Sequence, residues 1–264
     1  MTITKVTTHR GLDPDRAPYF PESSFEAFRD QLERGYGLEF DIQFSTKGEM
    51  IVSHDINLNQ VHLTTLPKLL ELIEKKSSNN SLSALHLKSG SQTPEKIDQI
   101  LLALEKINPN KFIIFDVNLE SAKYIKNKNH KIQIAGSVSH PHDILRYNKA
   151  VGGTLLTLDE LVKNKNLFSW AWLDEWDRTN KDEKIKSLYN KETFDKLRKE
   201  KIKIALVTPE LHTTSPGLLG GESHQDARSR ETLNKRLVEI VKLKPDAICT
   251  DYPDHVSQLI ARSL

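Results

Sequence analysis

The chain has 264 residues, and its 38 Lys and Arg against 36 Asp and Glu leave a net charge of +2. That balance excludes a strongly basic nucleic-acid binder and an acidic scaffold. The one cysteine, Cys249, excludes an intrachain disulfide and, set in the apolar run Ala247-Ile248-Cys249, reads as a small buried thiol. No apolar run approaches bilayer length, and MTITKVTTHRG runs almost directly onto the first motif, so no leader is expected. A cytoplasmic protein with no stable membrane anchor is therefore expected.

Eight strand-like runs recur along the chain. Ile3 to Thr8 is the first, and it closes on His9-Arg10-Gly11. A helix is expected to follow Pro21-Glu22-Ser23-Ser24. Gly37 to Phe44 is the second run; a turn at Ser45 to Gly48 and a short strand, Met50 to Val52, then complete a hairpin ending at His54-Asp55. Leu66 to Lys75 has helical spacing, with Leu66, Leu69, Leu70 and Ile73 on one face. Ser83 to Lys88 is the third strand. Thr93-Pro94-Glu95 opens a helix with proline in its first turn, carried on by Ile97, Ile100, Leu101 and Leu104.

Phe112 to Val117, almost continuously apolar, is the fourth strand and reads as one buried on both faces. Lys131 to Ser139, Leu167 to Trp172, Lys203 to Thr208 and Asp246 to Thr250 follow as the fifth to eighth. Helices over Lys191 to Lys199 and Glu231 to Leu243 precede the last two. This alternation predicts an α/β fold: a single (β/α)8 TIM-barrel domain over residues 1–264, with a small hairpin inserted after strand 2. The long polar loop from Thr213 to Arg230 reads equally as a lid or as plain surface.

Most of the strands turn polar or charged at their C-terminal ends: His9, Glu39 with Asp41, Lys88, Asp116 with Asn118, His140, Asp174, Glu210 with His212, and Asp251. Ionisable groups are costly inside a packed barrel but belong at its C-terminal mouth, where barrel enzymes place catalysis. Glu39 and Asp41, two apart in a strand, project from one face within reach of a single cation. A histidine close behind them, His54, can move protons near neutral pH. Metal-assisted phosphate chemistry needs this combination.

Taken together, His9-Arg10-Gly11, Pro21-Glu22-Ser23-Ser24, Glu39-x-Asp41 and the hairpin ending in His54-Asp55 resemble the glycerophosphodiester phosphodiesterase family. The resemblance implies a phosphoric diester hydrolase acting on a small-molecule phosphodiester. His9 and His54 would be general acid and base, Arg10 and Lys88 would bind the phosphate, and Glu39 and Asp41 would hold a divalent cation. A neighbouring substrate hydroxyl would attack phosphorus, and water would open the resulting cyclic phosphate. Glu22 would support the metal site or cap the following helix, and Asp251, in the closing Thr-Asp-x-Pro run, would order a turn.

The chain departs from that pattern at its third strand, where the family has Glu-x-Lys and this sequence has His86-Leu87-Lys88. Three outcomes stay open: His86 is itself a ligand, another mouth acid (Asp116, Asp174 or Glu210) substitutes, or the site is weakened. The second is preferred, because hard cations favour oxygen, and it implies Mg²⁺ or Ca²⁺. A histidine ligand would instead suit Mn²⁺ or Zn²⁺. Trp172, His86 and His212 are candidates for the wall of the substrate pocket. A lyase that stops at the cyclic phosphate, and a barrel that binds a phosphorylated or sugar ligand without turnover, are the alternatives. The alcohol on the phosphate and the oligomeric state are left open.

Overall fold

The structure is a computed structural model that describes residues 4–55, 63–78, 80–175, 187–209 and 228–263. Eight parallel strands close into a ring. β1 (Lys5–His9) pairs with β2 (Gly37–Phe44), which pairs with β5 (Ser83–Leu87), and β5 in turn with β6 (Phe112–Phe115). A single bridge, Ile114 to Ile134, joins β6 to the approach of β7 (Ala135–Val138). β7 pairs with β9 (Trp170–Leu173), β9 with β10 (Lys203–Val207), and β10 with β11 (Ala247–Thr250). β11 returns to β1. This is the expected TIM barrel.

The hairpin insertion is also present. β3 (Met50–Val52) runs antiparallel to β2, and β4 (Thr64–Thr65) antiparallel to β3. β8 (Leu155–Leu156) is a two-residue parallel addition to β7, too short to carry a periodic signal in the sequence. Two strands lie later than their apolar runs suggest. Lys131 to Gln133 form the turn before β7, and Leu167 is tied back to the Asn164 carbonyl, so β9 starts only at Trp170.

Helices fill the connections. α1 (Phe25–Glu33) is capped by Ser24, whose side chain accepts from the Ala27 amide, so Glu22 is not the cap. α2 (Leu66–Lys76) and α3 (Pro94–Leu104) each carry proline in the first turn; α2 buries Leu66, Leu69, Leu70, Leu72 and Ile73, and α3 buries Ile97, Ile100 and Leu104. α4 (Leu119–Lys128), α5 (Pro141–Tyr147) and α6 (Leu158–Lys163) surround β7 and β8 in the chain. α7 (Lys191–Lys199) precedes β10, α8 (Arg230–Lys242) precedes β11, and α9 (Pro253–Arg262) ends the described chain. Residues 213–227 of the candidate lid lie outside the described residues. Its last residues, Ser229 and Arg230, cap and begin α8.

Alternation along the strands divides the apolar residues into two cores. Leu38, Phe40 and Ile42 of β2, Leu85 and Leu87 of β5 and Ile204 and Leu206 of β10 pack outward, with the helices. Ala84, Ile113, Phe115, Ala135, Trp170, Trp172, Ala205, Ala247 and Cys249 fill the barrel itself. Alanines facing large aromatic rings let the layers interdigitate, so the interior is a packed core rather than a channel.

Candidate active site

The outward packing of Leu38, Phe40 and Ile42 turns Glu39 and Asp41 towards the barrel axis. Strand register then sets their neighbours: His9 lies opposite Glu39, and Asp41 opposite His86. Glu39 and Asp41 are 3% and 1% exposed, a burial that isolated carboxylates do not tolerate without partners.

The partners are cations. Asp41 Oδ1 lies 2.7 Å from His86 Nδ1 and 3.1 Å from Lys88 Nζ, and Asp41 Oδ2 lies 3.4 Å from Arg10 Nε. Burial opposes ionisation of Asp41, yet His86, Lys88 and Arg10 hold its carboxyl well below the usual carboxylate range. Glu39 is pushed the other way, by burial and then by Asp41 beside it. The Arg10 amide donates to Glu39 Oε2 at 3.2 Å, from a backbone in the left-handed region (φ 52°). That turn also brings the Arg10 guanidinium within 3.4 Å of the half-exposed Glu22.

His86 is bound at both nitrogens. Its Nε2 lies 2.9 Å from Asp116 Oδ2. Burial disfavours charge on the ring, but Asp116 and Asp41 outweigh it and push its pKa up to about 9. Asp116 therefore reaches the site through His86, not as an independent carboxylate at the Glu39–Asp41 pair.

His54, at the end of the hairpin, pairs with Asp55 at 3.1 Å. Its position is fixed by Gln43, whose side chain donates to the Ser53 and His54 carbonyls. Burial, and then the field of Arg10, lower its pKa below that of free histidine. Asp41 and Lys88 also act on it, as His9 acts on Glu39, so both histidines share one charge cluster with the two acids.

His9 Nδ1 lies 3.1 Å from Asp251 Oδ1, and Asp251 is completely buried. The sequence pointed to a turn-ordering role for this aspartate. A signal was present, because Asp251 continues the inward parity of Ala247 and Cys249. Cys249 is buried, as expected.

The other candidates divide. Asp174 follows β9 and acts electrostatically on Tyr189. Trp172, expected on a pocket wall, is instead 5% exposed and stacks on Phe115 with ring centroids 4.0 Å apart, because its strand parity points it into the packed interior. Glu210 and His212 lie outside the described residues.

The sequence matches the glycerophosphoryl diester phosphodiesterase family over residues 9–209. The chain belongs to that family. It is a phosphoric diester hydrolase of the glycerophosphodiester phosphodiesterase type. No curated protein sequence matches it. The fold resembles a putative glycerophosphoryl diester phosphodiesterase from Silicibacter pomeroyi DSS-3, with a TM-score of 0.69 at 12% identity, over 99% of this chain and 94% of that one. A glycerophosphodiester phosphodiesterase from Parabacteroides distasonis ATCC 8503 gives 0.65 at 18%, over 100% and 99%. An Oleispira antarctica phosphodiesterase in complex with the product sn-glycerol-3-phosphate gives 0.62 at 14%, over 98% and 97%.

Family membership implies a divalent cation, and the residues present fit one. Glu39, Asp41 and His86 each offer a ligand atom, all within 4.8 Å of one another. Asp41 Oδ2 is buried and, beyond its 3.4 Å ion pair with Arg10 Nε, accepts no hydrogen bond from the described residues, which leaves it capacity for a further ligand. Among the described residues, no helix is long and apolar enough to cross a membrane.

Proposed function

We propose that this phosphodiesterase hydrolyses a small glycerophosphodiester by proton transfer between His9 and His54, with a divalent cation held by Glu39 and Asp41. The observation that carries the reading is the charge cluster at the strand ends. His9, Arg10, Glu39, Asp41, His54, His86 and Lys88 come from four separate stretches of chain and act on one another there. The product bound to the Oleispira antarctica neighbour supports glycerol phosphate as the product class.

His54 is the base of the first step. Its lowered pKa leaves the ring neutral at pH 7, ready to take the proton of the substrate hydroxyl that attacks phosphorus. His9 donates to the departing alkoxide from Nε2, because Nδ1 is engaged by Asp251. The two exchange roles when water opens the cyclic phosphate. Arg10 and Lys88 place positive charge beside the phosphoryl oxygens. When bound, the cation polarises a phosphoryl oxygen and neutralises developing charge.

Hydrolysis of glycerophosphodiesters should be measured with added Mg²⁺, Ca²⁺ or Mn²⁺, and the products read by phosphorus NMR. Metal-dependent release of glycerol phosphate, abolished in His9→Ala, is the expected result. Turnover that is metal-independent and unaffected by that substitution excludes the mechanism.

A further inference from the structure

We propose that Asp116 is a positioning residue that presents His86 Nδ1 as the third metal ligand, so that the site prefers Mn²⁺ to Ca²⁺. The inference rests on the cation-dependent reading above and goes beyond it, because it assigns the work of the family's missing third-strand glutamate to a pair of residues.

Three features carry it. The first is backbone geometry. Ile113 and Phe115 face the barrel interior, so strict alternation would turn Asp116 outward. Its backbone lies instead in the left-handed region (φ 56°), unfavourable for a residue with a Cβ. The conformation is held from both sides: the Asp116 amide donates to Ser137 Oγ at 3.1 Å, and Gln92 Nε2 donates to the Asp116 carbonyl at 2.7 Å. The second is orientation. Asp116 Oδ2, 2.9 Å from His86 Nε2, accepts the proton there, and Nδ1, which donates to Asp41 Oδ1 at 2.7 Å, gives up that proton when a cation shared with Asp41 takes its place. A carboxylate behind a ligating imidazole is a recurrent way of fixing such a ring. The third is packing. His86 stacks on Phe115 (4.8 Å, 22°) and Phe115 on Trp172 (4.0 Å, 16°), which holds the ring plane.

Two carboxylates and an imidazole form a mixed oxygen and nitrogen site. Ca²⁺ favours oxygen throughout, whereas imidazole suits first-row transition ions.

The test is calorimetric titration of the intact protein with Mn²⁺ and Ca²⁺, together with pulsed EPR of the Mn²⁺-loaded form. The wild type should show ¹⁴N coupling from one imidazole, lost in His86→Glu, which should gain Ca²⁺ affinity. Asp116→Ala should weaken Mn²⁺ binding roughly 10–100-fold. Asp116→Asn should lose less, because its amide oxygen still accepts from Nε2. Bound Mn²⁺ without nitrogen coupling in the wild type overturns this proposal and leaves the cation-dependent reading standing. Failure of the wild type to bind Mn²⁺, Ca²⁺ or, in the same titration, Mg²⁺ overturns both.

Discussion

Asp251 Oδ1 lies 3.1 Å from His9 Nδ1, so the last barrel strand orients a histidine carried by the first. β1 and β11 are hydrogen-bonded neighbours, and the contact exists only because the ring is closed. It fixes which nitrogen of His9 is free for proton transfer, the role a buried carboxylate plays beside a working imidazole.

Asp251→Asn should therefore reduce kcat by roughly 10²–10⁴-fold, the contribution of a positioned proton-transfer group. Steady-state kinetics well below the melting temperature of the variant would check this. A kcat within twofold of the wild type would show that Asp251 only shapes the turn.

His54 predicts the acid limb of the pH profile. Burial and Arg10 stabilise its neutral form, so its pKa falls below the usual 6.5. A base works when deprotonated. Activity should thus rise with pH up to an inflection below 6.5, as measured by kcat/KM from pH 4.5 to 7. In His54→Ala that limb should disappear along with most of the rate.

Gly37 starts the strand that carries both acids, and it packs against the backbone of the segment entering β5. A Cβ there would sit 1.8 Å from the Leu82 carbonyl oxygen, which also accepts from Thr7 Oγ1 at 2.8 Å. Backbone cannot give way as a flexible side chain can. Gly37→Ala should cost about 1–3 kcal/mol or more by overpacking, visible as a lower urea midpoint.

Glu175 and Arg236 form an ion pair at 2.7 Å in which both side chains are almost fully buried. The other Glu175 oxygen accepts from the Leu188 and Tyr189 amides, tying the end of β9 to the segment before α7. Arg236→Ala strands that charge and should destabilise by about 3–5 kcal/mol. Adding Glu175→Gln, which keeps an acceptor for the two amides without the charge, should recover part of the loss in thermal unfolding.

The repeating pattern of apolar strands and amphipathic helices was sufficient to predict an eight-stranded barrel. Burial dictates that pattern, and burial is written into local residue order. Strand periodicity likewise put Glu39 and Asp41 on one face, while their meeting with His9 and His54 at one opening was an expectation from the family resemblance of the motifs. Strand limits were less legible. The apolar residues Ile132 and Leu167 belong to turns before β7 and β9, and a run of apolar residues does not say where pairing begins.

Contacts between distant strands were decided only by the closed ring. The sequence alone suggested that Asp116 could substitute as an acid, that His86 and Trp172 could line a pocket, and that Asp251 could order a turn. Strand register and a left-handed residue instead set Asp116 behind His86, drew Trp172 into the packed interior and brought Asp251 to His9. Residue order determines which face of a strand a side chain takes. Which charge waits opposite it depends on pairings across the barrel, and those depend on the whole chain closing at once.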